Sequence, residues 1–155
     1  MKVVWIILGI FLGLGILCCG GMFLFGKGVY NAVVETNDQA DKFASKAMTE
    51  IGKDWSLATL KKYAAPEFKQ IMNDDEITAR LKGYAEKLGA LKSCKEFTAT
   101  TTSSNYDNGE SVVTVHNNAQ AIFEKGTGTL DVSVVKHGDQ WGLIGFEIRS
   151  DALPK

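Results

Sequence analysis

From Val3 to Phe25 the chain is apolar at every position, 23 residues without a charge, Pro, Asn or Gln. As a helix this run would span roughly 34 Å, more than a hydrocarbon core of about 30 Å. A cleaved signal peptide would carry a shorter apolar core and a small-x-small site. Gly26-Lys27-Gly28-Val29-Tyr30 offers no such site, and neither Cys18 nor Cys19 has the small preceding residue of a lipoprotein signal. The pattern therefore predicts an uncleaved transmembrane helix over about residues 3–25, a membrane anchor over 1–28 and one domain over 29–155. Lys2 and the terminal amine lie on one side of the span and Lys27 on the other. The expected orientation is N-terminus cytoplasmic and domain extracytoplasmic, on a slight positive-inside bias.

Beyond Gly28 the period becomes helical. Val29, Val33, Ala40, Phe43, Ala47, Met48 and Ile51 recur at three and four, predicting one long amphipathic helix that stops at Gly52. Asp54 or Ser56 caps a shorter helix with Leu57, Leu60 and Tyr63 inward, and Pro66 suits the first turn of the next. Asp74, Asp75 and Glu76 open a fourth, whose Ile77, Leu81, Tyr84 and Leu88 share a face and which Gly89 closes.

From about Ser93 the period is two. Phe97, Ala99 and Thr101 share a face of the first strand; Val113, Val115, Asn117, Ala119, Ala121 and Phe123 of the second; Leu130, Val132 and Val134 of the third. In the last strand Ile144, Phe146 and Ile148 are expected inward, alternating with Leu143, Gly145 and Glu147. Asp107-Asn108-Gly109, Lys125-Gly126 and His137-Gly138-Asp139 mark the turns. Helices followed by a four-stranded antiparallel meander define an α+β layout, with the helices covering one face of the sheet.

The order of elements, with Asp54-Trp55, Ala65-Pro66-Glu67-Phe68, a Phe123-x-x-Gly126 hairpin and the run Gly138-Asp139-Gln140-Trp141-Gly142-Leu143-Ile144-Gly145-Phe146, resembles the NTF2-like (cystatin-like) superfamily. The likeness is to its small bacterial secreted or membrane-anchored members of uncharacterised function. It implies a sheet curved around the helices into a cone, which can hold a ligand, an active site or only side chains. It also implies dimerisation through the outer face of the sheet.

Charge excludes one class: 17 Lys+Arg against 18 Asp+Glu leave a net −1, without the basic surplus a nucleic-acid binder needs. Ketosteroid-isomerase-like relatives place a carboxylate base in the cone, and the inward positions here show none. Tyr63, Tyr84, Thr101 and Asn117 are the candidate pocket residues, donors without a partner base. Were the protein a small isomerase or dehydratase, Tyr63→Phe or Tyr84→Phe would abolish turnover. The acidic triplet at 74–76 lacks calcium-loop spacing, and His116 and His137 are expected to lie apart along the ladder, so no metal or cofactor is expected. Cys94 has no Cys partner in the domain and reads as a buried thiol. Val112, Thr114, His116, Gln120, Thr129, Asp131, Ser133, Leu143 and Glu147 are assigned to the outer face; Thr114, His116, Asp131, Ser133 and Glu147 are its candidate interface residues.

The expected function is a membrane-anchored binding module without catalysis, its partner another envelope protein, a second copy or a small apolar ligand. The alternative is a structural subunit of an envelope assembly, as in the bitopic NTF2-like component of type IV secretion complexes.

Overall fold

The structure, a computed structural model, describes residues 32–107 and 109–153. The predicted anchor over residues 3–25 lies outside them. Among the described residues no helix is long and apolar enough to cross a membrane. The site lies in the compact unit Asn37–Lys155.

Four helices precede the sheet: α1 (residues 32–54), α2 (Leu57–Tyr63), α3 (Pro66–Ile71) and α4 (Asp74–Leu88). α1 does not stop at Gly52. That glycine is buried in the last turn, where a Cβ would come within 2.5 Å of the Leu91 Cβ, so it serves close packing on the sheet. The helix ends at Trp55, whose positive φ of 49° turns the chain while its N–H still bonds the Ile51 carbonyl at 2.8 Å. Asp54 and Ser56 then share the cap of α2: the Ser56 hydroxyl accepts from the Thr59 N–H, and the Asp54 carboxylate accepts from the Ser56 N–H and hydroxyl. Asn73 caps α4, and Gly89 closes it at φ 72°.

The sheet is antiparallel and has five strands rather than four: β1 (Leu91–Cys94), β2 (Thr98–Asp107), β3 (Glu110–Phe123), β4 (Gly126–His137) and β5 (Gln140–Arg149). β1 and β2 both run along the same side of the 14-residue β3. Between them the chain breaks so that Phe97 turns into the core. One predicted strand is thus two collinear ones.

Two register shifts alter which face a side chain takes. One lies between Ala99 and Thr101, so that Thr101 falls opposite exposed His116. The other makes Val134 face Leu143 and Ser133 face Gly145, leaving Ile144 as the extra residue of a bulge. Leu143 is therefore fully buried instead of lying on the outer face, and Ile144 is not one of the fully inward positions. The space between helices and sheet is filled by Met48, Ile51, Leu60, Leu88, Leu130 and Val132, all essentially without exposure.

Candidate functional site

The four predicted pocket residues do not converge. Thr101 is on the outer face because of the bulge. Tyr63 packs edge-on against Phe43, and its buried hydroxyl meets no partner at hydrogen-bonding geometry. Burial first, and neighbouring Glu50 second, push its pKa above the ordinary phenol value. Tyr84 sits in an aromatic cluster, with ring centroids 5.5 Å from Trp55 and 6.1 Å from Phe146, and burial raises its pKa too.

Among the described residues, Asn117 is the one buried residue of the polar or charged types, at 2% exposure. Its Nδ2 donates to Asp41 Oδ1 at 2.8 Å, while its own Oδ1 has no partner. Burial, and then Asp38, raise the Asp41 pKa. Asp41 is not marked as a site residue by the pattern of the helix it sits on. The signal for it was an Asn on the inward face of a central strand, which requires a polar partner from the covering helix.

A carboxyl whose folded pKa is raised adds stability below its unfolded value and loses that contribution as pH rises through the folded value. Asp41→Asn keeps an acceptor for Asn117 Nδ2 and offers Asn117 Oδ1 a donor. The stability difference between Asp41→Asn and the natural chain is therefore expected to shift steadily in favour of the variant as pH rises from about 4 towards 7. Urea unfolding across that range checks it; a flat difference would show that Asp41 titrates as an ordinary surface acid.

The outer face behaves differently. Thr114, His116, Asp131, Ser133 and Glu147 lie there together, on three adjacent strands: His116 opposite Ser133, Asp131 opposite Glu147 and Thr114 opposite Val135. Their side chains are exposed or half-buried, and His116, Ser133 and Asp131 are tied across strands. His116 Nδ1 meets Ser133 Oγ at 2.7 Å, Arg149 Nε donates to Asp131 Oδ2 at 2.9 Å, and Gln120 Nε2 donates to Thr129 Oγ1 at 3.1 Å. One end of this face is capped. Val135, though on the outer register, is only 2% exposed, because Ala64 and Ala65 wrap the β5 edge and Ala65 N–H bonds the Leu143 carbonyl. Gly142 permits that approach, since a Cβ there would come 2.7 Å from the Ala65 Cβ. The cap also brings Glu67 to His137 Nε2 at 2.8 Å; burial is the largest single influence and pushes the Glu67 pKa up, but the bond to His137, Glu67's own backbone N–H and the His137 charge together leave it below the ordinary value.

An apolar cleft of about 170 Å³ opens between α3, α4 and β5, lined by Phe68, Ile77, Leu81, Gly145 and Phe146, with Arg80 also on its wall. His116 and His137 are four rungs apart on the β3–β4 ladder. Among the described residues no group of three His, Cys, Asp or Glu side chains is placed to hold a metal ion. Cys94 is a half-buried free thiol whose pKa burial pushes up, which makes it a poor nucleophile at neutral pH.

No protein-family model matches the chain, and no curated protein matches it. Among solved structures it is similar to the Kfla4162 protein from Kribbella flavida, at 14% identity and a TM-score of 0.38, covering 77% of this chain and 96% of that one. The architecture itself is α+β, an open antiparallel sheet covered by helices.

Proposed function

We propose that this chain is a single-pass, membrane-anchored interaction module of the NTF2-like kind, with its domain extracytoplasmic and without catalysis, and that a protein partner docks on the outer face of the sheet. The observation that carries this reading is the row of cross-strand polar pairs spanning β3, β4 and β5: His116–Ser133, Asp131–Arg149 and Gln120–Thr129. A solvent-facing surface of fixed donors and acceptors suits a polar, hydrated protein contact. The partner is another envelope protein or a second copy; a stoichiometric envelope assembly is the same reading at larger scale.

A photo-crosslinking side chain at Gln120, in the full-length protein in its native membrane, is expected to capture one discrete protein partner. His116→Glu combined with Asp131→Arg is expected to reduce that capture at least about tenfold, with only a small change in stability, because His116 is exposed and the half-buried Asp131 pairs with Arg149 at the surface. Undiminished capture in the double variant would remove the outer face from the proposal.

A second reading rests on the cleft at Phe68, Ile77, Leu81 and Phe146. Its walls suit a short apolar chain. A bound small molecule displaced by Gly145→Leu would favour it.

A further inference from the structure

Both ends of a sheet row expose backbone N–H and C=O groups that can pair with another chain, and proteins ordinarily guard them. In this domain the guarding is uneven. The β5 edge carries a bulge at Ile144, the charged Glu147 and Arg149, and the Ala64–Ala65 link bonded to Leu143. On the opposite side, β1 carries Lys92, followed by Lys95 and Glu96. Past its bulge β2 has none of these devices until its last residue, Asp107. Thr98 to Tyr106 reads TATTTSSNY, without a charge or a proline. Residues Thr100–Tyr106 are all exposed, and among the described residues β2 pairs with β3 alone.

The register fixes what this edge offers. The hairpin closes at the pair Asp107–Glu110, and Asp107, Asn105 and Ser103 then take the positions bonded to β3. By the alternation of an antiparallel ladder, the N–H and C=O of Thr102, Ser104 and Tyr106 point away from the sheet. Two copies related by a two-fold axis at Ser104 would place Ser104 opposite Ser104 and Thr102 opposite Tyr106. All three residues would then exchange both backbone bonds, and no charge would be brought against a like charge. Thr facing Tyr across strands is a favourable sheet pair.

We infer that the β2 edge is a self-pairing surface, where a second copy of this chain adds antiparallel through Thr102, Ser104 and Tyr106 to make one continuous sheet. This contact is separate from the outer face and leaves it free. Its small area places it at the weak end of specific interfaces, so the dimer forms at high local concentration.

The test uses the full-length protein in detergent, with amide hydrogen exchange followed in the segment 100–107. Protection of this segment is expected at high protein concentration and is expected to be lost on dilution into excess detergent. Ser104→Pro removes an N–H that β3 does not use, and Ser104→Lys sets two ammonium groups face to face on the axis. Both are expected to abolish the protection while β3 and β4 amides stay protected. The Lys variant serves as the readout if the Pro variant loses the hairpin. Free exchange of segment 100–107 at every concentration would overturn the inference, as would protection that survives both substitutions or that tracks binding of a different protein.

Discussion

Replacing Trp55 by Ala is expected to cost about 3–5 kcal/mol of folding stability, a large part of what a domain of this size possesses. The side chain is only 5% exposed and holds three elements together. Its ring lies 5.5 Å from Tyr84 of α4 and 6.3 Å from Phe123 of β3, and its Nε1 donates to the Gly89 carbonyl at 2.9 Å, fixing the exit of α4. Removal opens a cavity and leaves a buried carbonyl without its donor. Trp55→Phe removes the N–H donor but leaves a much smaller cavity, and should cost clearly less. Urea unfolding of both variants measures the pair; a loss below about 1 kcal/mol for Trp55→Ala would mean that the aromatic cluster does not anchor the core.

The second large effect is at Leu143. Leu143→Ala is expected to cost about 2–5 kcal/mol, and Ile144→Ala under about 1.5 kcal/mol. Simple alternation along Gln140–Arg149 predicts the reverse order, with Ile144 in the core. The bulge decides it: Leu143 faces Val134 with no exposure, while Ile144 is only half-buried. Melting curves of the two variants separate the cases. Equal losses, or a larger loss at Ile144, would contradict the register.

These two residues also show how far the sequence can be read. Trp55 and the helices around it are local matters. The Asp54 and Ser56 caps, Pro66 in the first turn of α3 and Gly89 after α4 each act over a few residues, so the sequence carries them directly. The hairpin turns at Lys125 and Gly138 are local in the same way. A bulge is not. Nothing in Gly142-Leu143-Ile144-Gly145 says which residue is extra, because the choice is made by packing against β4 and by the Ala64–Ala65 link. The same holds for Thr101, displaced to the outer face by one unpaired residue.

Glycine commonly ends helices, which makes Gly52 look like a stop from sequence alone, but the close approach of Leu91, distant in sequence, is its physical reason. The candidate site divides along the same line. On the regular rungs of β3, β4 and β5, alternation alone brings Thr114, His116, Asp131, Ser133 and Glu147 to one face. The pocket residues required knowledge of how helices seat on the sheet. There the structure distributes Tyr63, Tyr84 and Asn117 among separate packing environments and supplies Asp41 as the partner of Asn117.

The central claim, a protein partner on the outer face, is tested most directly by native mass spectrometry of the full-length chain extracted gently in detergent. The account predicts a complex with at least one further protein subunit, another protein or a second copy, retained by Ser104→Lys but lost from the His116→Glu, Asp131→Arg double variant. A chain carrying only a discrete mass of a few hundred daltons, unaffected by the double variant, would contradict it and move the function to the apolar cleft beside Phe146.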